Sequence, residues 1–156
     1  MNESNQQNCK FEKPYELFDV TADIGFIAYG NNLNEAFENA GLAMFNIMSD
    51  TTNVECIRQF HIEVSSEDLV SLLYDYLEEL LFLHDVEFLL FSQFNVNIEK
   101  INDNSQNQYK LSATVKGEDI DWDNKHIRLS EVKAITFHMM EVKCEEFCKV
   151  RAILDL

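Results

Sequence analysis

Two segments of the chain carry apolar residues at the spacing of an amphipathic helix. The first runs from Leu33 to Asp50, and the second follows Ser65 and Ser66, one of which we expect to be the N-cap with Asp68 completing a near capping box. The apolar positions of the first helix are Ala36, Phe37, Ala40, Met44, Ile47 and Met48. Those of the second are Leu69, Leu72, Leu73, Tyr76, Leu77, Leu80 and Leu81. Each helix is therefore expected to bury an apolar face.

The other apolar segments have the length and alternation of β-strands. The predicted strands are Ile24–Gly30, Cys56–Val64, Phe88–Lys100, Tyr109–Lys116, Leu129–Lys143 and Val150–Leu156. The third and fourth of these strands form a predicted hairpin around the polar loop 101–108. This order predicts a single compact α+β domain, in which two amphipathic helices pack on one face of a mostly antiparallel or mixed sheet.

The length of 156 residues fits one domain, which we expect to span residues 14–156 after a flexible polar tail over residues 1–13. The tail lacks the apolar stretch of a signal peptide, and no segment reaches the roughly 18 apolar residues that a membrane span requires. We therefore expect a soluble cytoplasmic protein with no membrane partner.

The charge balance is strongly acidic, with 12 Lys and Arg against 28 Asp and Glu and a net charge of −16. Such a field repels phosphate backbones, so direct, non-specific binding to nucleic acid is disfavoured. Cations or basic protein surfaces are the expected partners. The outer face of the second helix, with Asp75, Glu78 and Glu79, is interpreted as a solvated acidic surface, with a binding patch as the alternative.

The cysteines form no recognisable zinc or redox motif. None of the four, Cys9, Cys56, Cys144 and Cys148, has a Cys-x-x-Cys partner or a His-rich neighbourhood. We expect plain reduced thiols.

Two ends of predicted strands carry carboxylates. Asp19 and Asp23 are four residues apart just before the first strand, a spacing expected to place both on one face. Neighbouring carboxylates repel each other unless a cation intervenes, so Ca²⁺ or Mg²⁺ is a candidate ligand, with a turn or cap role as the alternative. Asp155 and the carboxylate of Leu156 follow an apolar strand, and these oxygens would complete such a site; a frayed terminus is the alternative.

Two further segments carry acidic residues or histidines. Residues 119–123 imitate the opening of a calcium-binding EF-hand loop, but Asn124 replaces its Gly and Ser130 its bidentate Glu, so we interpret the segment as an acidic turn. His138 is predicted to share a strand face with Thr136, and His126 precedes that strand. For both histidines a hydrogen-bonded structural role is favoured over a catalytic one. No nucleophile elbow, phosphate-binding glycine loop or zinc-protease helix is present.

The Asp19–Gly25 segment resembles the Asp-His-Thr-Ala-Asp signature of the archease family. It is followed by the Ala-Tyr-Gly strand end of that family at residues 28–30, and the first helix is similar to the family pattern LxEAFENAxLAMFxxM. Further resemblances, in the family's order, lie at residues 68–94, at 132–138 (VKAxTxH) and at 152–156 (VIFDI). The similarity runs from about Tyr15 to the last residue. One departure is Val20, which stands where the motif has His.

The resemblance implies a protein that is not an enzyme and that binds an RtcB-type tRNA-splicing RNA ligase. In that family the archease promotes guanylylation of a ligase histidine and supports multiple turnover, meeting tRNA or other RNA only through the ligase. The family's metal ligands carry over onto Asp19, Asp23 and Asp155, with the terminal carboxylate of Leu156 as a fourth. Ca²⁺ is the expected ion, with Mg²⁺ and Mn²⁺ as alternatives.

Two other functions are compatible with the sequence. The three Asp residues with His138 as base would suit a stand-alone metal-dependent hydrolase or nuclease, although the net charge opposes the approach of RNA. Alternatively, the acidic surface itself acts as a chaperone-like interaction module. Turnover without a ligase would favour the first, and activation of a partner independent of any metal would favour the second.

Overall fold

The computed structural model describes residues 11–103 and 106–156, so residues 1–10 of the predicted tail lie outside the described part. The helices are α1 (Leu33–Met48) and α2 (Leu69–Glu87), and a short 3₁₀ turn covers Thr51–Asn53. The strands are β1 (Tyr15–Val20), β2 (Asp23–Gly30), β3 (Arg58–Ser66), β4 (Leu89–Asp103), β5 (Gln106–Asp119), β6 (Ala134–Cys144) and β7 (Cys148–Asp155).

The described strands form two antiparallel sheets, where the sequence predicted one. The first sheet has the order β1-β2-β7-β6, and the second has the order β3-β5-β4. Helix α1 packs against β2 and β7 of the first sheet and β4 of the second, while α2 packs against β6 and β3. The α+β class is confirmed. Both helices bury apolar residues against both sheets, so they join the sheets into one core.

Helix α1 begins where the sequence predicts and is almost entirely enclosed. The side chain of Asn32 caps it by accepting a hydrogen bond from the backbone N–H of Glu35 at 2.9 Å. Every apolar position predicted for this helix is buried, and Ala43 and Phe45 are buried as well. The wider burial follows from the second sheet, which covers the side of α1 that a single sheet would leave exposed.

Helix α2 has the predicted stripe, but its cap is different. Asp68 accepts a hydrogen bond from the backbone N–H of Ser71 at 2.8 Å and is therefore the N-cap, while Ser66 ends β3 and donates to the carboxylate of Asp75 at 2.6 Å. The prediction of a serine cap is wrong because β3 continues to Ser66. Within residues 11–103 and 106–156, neither helix combines the length and apolar composition needed to cross a bilayer.

The first strand was not predicted from the pattern. Residues Tyr15–Val20 carry little apolar alternation, yet they pair along their whole length with β2 through a two-residue turn. The β4–β5 hairpin is confirmed, and its strands extend further than predicted because pairing continues to Asp103 and Gln106. Backbone pairing does not require apolar side chains, so the polar stretch gave no signal for this extension.

The prediction that the cysteines are plain thiols is wrong for two of them. Cys144 and Cys148 face each other across the β6–β7 hairpin and are joined by a disulfide, whereas Cys56 is free and exposed. Cys9 lies outside the described residues. The hairpin turn explains the pairing, because it brings residues four apart in sequence into direct register.

An aromatic contact joins the start of the described chain to this hairpin. Phe147, in the β6–β7 turn, packs with its ring 6.1 Å from that of Phe11 and 6.0 Å from that of Tyr29. The contacts of the domain therefore reach three residues before the predicted boundary at Pro14.

Candidate functional site

The turn between β1 and β2 determines where the signature aspartates lie. Val20 and Asp23 are register partners that close a two-residue turn, in which Ala22 has a φ of 64°. Left-handed backbone in a two-residue hairpin turn matches the twist of the flanking strands, although it is disfavoured for a residue with a Cβ. Asp23 is thereby fixed as the first residue of β2.

Asp23 is also the register partner of Asp155, which is the last residue of β7. Residues directly opposite in an antiparallel pair point to the same face, with Cβ atoms about 4.5–5.5 Å apart. Asp155 pairs on its other side with Ala134 of β6, and its carbonyl accepts a hydrogen bond from the backbone N–H of Lys133 at 2.8 Å. The end of the chain is therefore held between two strands and is not frayed.

Four register partners, one from each strand, form a line across one end of the first sheet. We call this line the acidic row: Val20, Asp23, Asp155 and Ala134. The hydrogen bonds and ion pairs of the described residues do not involve the carboxylate of Asp23 or Asp155. Like charges directly opposite each other destabilise a sheet. The pair is therefore suited to a cation, because a cation would remove this repulsion.

The next line of residues on the same face is apolar and closely packed. The ring of Phe18 lies over Gly25, so closely that a Cβ at Gly25 would overlap it. Gly25 pairs with Ile153, which is only 1% exposed, and the hydroxyl of Thr136 donates to the carbonyl of Ile153 at 2.9 Å. The acidic row is therefore bordered on one side by apolar residues, while Asp155 itself is exposed to solvent.

Asp19 lies apart from this pair. Its register partner is Ile24, the neighbour of Asp23, so Asp19 points to the opposite face of the sheet. The prediction that a spacing of four places both carboxylates on one face is wrong here, because the chain reverses direction between them. Among residues 11–103 and 106–156 there is no group of three or more His, Cys, Asp or Glu side chains arranged to hold a metal.

His126 has the structural role that the sequence favoured. It is 4% exposed; its Nδ1 accepts a hydrogen bond from the backbone N–H of Asp121 at 2.9 Å, and its Nε2 lies 3.3 Å from a carboxylate oxygen of Glu118. Glu118 also accepts hydrogen bonds from the backbone N–H of Glu55 at 2.6 Å and from Lys125 Nζ. This network, which nothing in the sequence pattern indicated, holds the connection between β5 and β6.

The network also affects the ionisation of its members. Burial opposes the charge on Glu118, but the hydrogen bonds from Lys125 and Glu55, together with the nearby His126 ring, outweigh it and lower the pKa of this carboxyl. Hydrogen bonding to Glu118 in turn raises the pKa of Lys125. The residues are fixed by each other and not by an exposed cleft, so a structural interpretation suffices.

His138 lies in an irregular part of β6 and not on a regular strand face. The register shifts between Thr136, opposite Ile153, and Glu141, opposite Arg151, so the alternation that grouped Thr136 with His138 is interrupted. His138 is exposed. The acidic turn is confirmed: Asp121 accepts a hydrogen bond from the backbone N–H of Asn124 at 3.1 Å, and no helix flanks the segment.

Comparison with known proteins identifies the family of this chain. Residues 15–156 match the archease protein family. The archease of Methanothermobacter thermautotrophicus is 54% identical over 145 residues, which cover 92% of this chain and 99% of that protein. The archease of Pyrococcus abyssi is 45% identical over 131 residues, or 84% of this chain and 89% of that protein.

A solved structure is similar as well. The solution structure of Methanobacterium thermoautotrophicum protein 1598 has a TM-score of 0.77 and 49% sequence identity, covering 93% of this chain and 100% of that one. Sequence and fold therefore agree over nearly the whole length of the relatives. This chain belongs to the archease protein family.

Proposed function

We propose that this chain is a non-catalytic activator of an RtcB-type RNA ligase, which joins RNA ends in tRNA splicing or repair. In this role it promotes guanylylation of the ligase histidine and multiple turnover, and it contacts RNA only through the ligase in the cytoplasm. Membership of the archease family supports the proposal. The observation that carries it furthest is the direct pairing of Asp23 with Asp155, two unneutralised carboxylates at a rigid sheet edge.

Asp23, Asp155 and the carboxylate of Leu156 are the proposed ligands of a divalent cation. All donors are oxygen atoms, which suits Ca²⁺ and also Mg²⁺ or Mn²⁺. Val20 lies in the acidic row where the family signature has His, so this chain supplies no imidazole nitrogen there. Asp19 remains a predicted ligand, and its position on the opposite face leads us to expect the smallest contribution from it.

The physical role of these residues follows from charge. A bound divalent cation supplies positive charge that neutralises phosphate oxygens during nucleotidyl transfer. The two aspartates hold that charge at the end of a paired, buried strand, so its position is defined before any partner binds. The acidic body of the molecule favours encounter with a basic cleft and disfavours free RNA.

The metal site is tested by titrating purified protein with calcium. Calorimetry measures the calcium affinity, and thermal denaturation measures the effect on the melting temperature. We expect Ca²⁺ to raise the melting temperature of the wild type and to have little effect on Asp23→Asn or Asp155→Asn. Asp123→Asn, in the exposed turn, is the matched control and should respond like the wild type. If Asp23→Asn and Asp155→Asn both bind calcium with the affinity of the wild type, the proposed metal site is wrong.

The function is tested with the cognate ligase at limiting concentration, GTP, Mn²⁺ and an RNA bearing a 3′-phosphate. We expect the wild type to accelerate ligase guanylylation and to add turnovers, and Asp23→Ala to lose most of this effect. RNA cleavage by the purified chain alone would instead support the hydrolase alternative. Full activation by Asp23→Ala would support a metal-independent interaction module.

A further inference from the structure

A second surface, on α2 and β6, combines exposed aromatic rings with carboxylates. The rings of Tyr74 and Phe137 stack with centroids 3.9 Å apart and planes 10° apart. Phe137 nevertheless remains 55% exposed, and Phe82 is 53% exposed. Tyr74, Glu78 and Phe82 follow one another at intervals of four and therefore share one side of α2.

The charge on this helix is uncompensated. Between Leu69 and Glu87 the sequence has five acidic residues and no Lys or Arg. Asp75, Glu78 and Glu79 line a shallow groove together with Phe82 and Val64 of β3. A helix without basic residues gains none of the i to i+4 ion pairs that usually stabilise an exposed helical face. The exposed carboxylate of Glu78 is consequently available to an external cationic group, while one oxygen of Asp75 accepts a hydrogen bond from Ser66.

This combination matches the chemistry of arginine. A guanidinium group stacks on aromatic faces and also forms paired hydrogen bonds with carboxylates. Aromatic residues and arginine are enriched in protein interfaces, and Phe137 already has one ring face supported by Tyr74. Nucleic acid is a poor match, because its phosphates would meet the carboxylates of Asp75 and Glu78.

The surface and the acidic row share strand β6, but Phe137 and Ala134 lie on opposite faces of the first sheet. Ala134, the register partner of Asp155, precedes Phe137 by three residues on β6, which corresponds to about 10 Å along a strand. The irregularity that follows exposes Met139, which has a φ of 55° and is 50% exposed.

We propose that Tyr74, Asp75, Glu78, Phe82 and Phe137 form a docking surface for an arginine-rich protein surface. The proposal rests on the function proposed above and identifies the partner as the basic face of the ligase. In this arrangement the docking surface supplies affinity for the ligase.

The proposal is tested by measuring the affinity of the full-length chain for the ligase by calorimetry at two salt concentrations. We expect Phe137→Ala and Glu78→Lys each to weaken binding roughly thirty-fold, the effect of losing a hot-spot residue. Glu78→Lys should also reduce the salt dependence of binding. Ile57→Ala, which truncates an apolar residue that is 66% exposed, and Glu146→Lys, at the β6–β7 turn, are matched controls expected to bind normally.

The outcomes separate the two proposals. If the wild type fails to bind or activate the ligase, the proposed function fails. If the wild type activates and Phe137→Ala and Glu78→Lys bind like the controls, only the docking surface is overturned. Equal melting temperatures exclude misfolding, and Glu78→Gln provides a second variant if Phe137→Ala is unstable. A surface that mediates self-association, lost in Phe137→Ala with ligase binding intact, would also overturn the proposal.

Discussion

Among single residues, Tyr76 stands out because it places a polar hydroxyl group in the apolar core. Its side chain is 0% exposed, and among the described residues its hydroxyl has no hydrogen-bond partner. The ring stacks on Phe37, and the hydroxyl faces Gly41 of α1, where a Cβ would approach it to 3.1 Å. Burial, and then the nearby charge of Glu38, raises the pKa of Tyr76, so the group stays neutral.

Removing this hydroxyl should stabilise the protein. A buried polar group without a partner costs about 1–3 kcal/mol, so we expect Tyr76→Phe to raise the free energy of unfolding by about 1 kcal/mol. Urea denaturation with an unchanged m-value measures the difference. Tyr109→Phe, at a partly exposed position, is the control and should change little. A clear loss of stability in Tyr76→Phe would mean that the hydroxyl has a partner such as bound water.

At the scale of single elements, the stability of a helix or a connection depends on a few polar groups at its ends. Helix α2 has Asp68 as its N-cap, and the sequence also offered Ser65, which is exposed in β3. We expect Asp68→Ala to cost about 1 kcal/mol of stability and Ser65→Ala to cost almost nothing. Denaturation of both variants beside the wild type checks this. Equal effects of the two substitutions would contradict the assignment of the cap.

The β5–β6 connection depends on Glu118 in the same way. Because the folded protein lowers the pKa of Glu118 below the usual 4.5, its stabilising effect is present above that value and is lost as the pH falls through the lower folded pKa. We therefore expect Glu118→Gln to be less stable than the wild type at pH 7 and to lose less stability on acidification below about pH 4.5.

Melting temperatures between pH 3 and pH 7 provide the measurement. Glu131→Gln, at an exposed position of the same connection, is the control and should follow the wild type. Parallel curves for Glu118→Gln and the wild type would show that the network contributes no pH-dependent stability.

The whole molecule is under electrostatic repulsion because its net charge is −16. Salt screens such repulsion, so raising NaCl from about 0.02 M to about 0.5 M should raise the melting temperature by roughly 3 °C. The experiment is performed with a chelator, so that trace divalent ions do not contribute. Glu146→Lys carries less net charge and should respond less. A melting temperature that falls with salt would mean that attractive pairs dominate.

Much of this architecture could be predicted from the sequence because it depends on local periodicity. The apolar stripes of α1 and α2 follow from the helical repeat, whereas the additional burial of Ala43 and Phe45 depends on the second sheet. The carboxylates at Asp23 and Asp155 were identifiable as candidate ligands because each marks the end of a predicted strand. Strand β1, an edge strand, was not predictable in this way because its apolar residues do not alternate regularly with polar ones.

The tertiary structure decided the features that depend on pairing between residues far apart in sequence. Register alone brought Asp23 opposite Asp155 and turned Asp19 to the other face, and the β6–β7 turn alone joined Cys144 to Cys148. The stacking of Phe137 on α2 likewise requires two elements far apart in sequence. The sequence by itself determined both helices, most of the strands and the acidity of the molecule, because these depend on nearest neighbours and composition. Only the folded chain determined which charges meet, because a one-residue change of register moves every side chain to the opposite face.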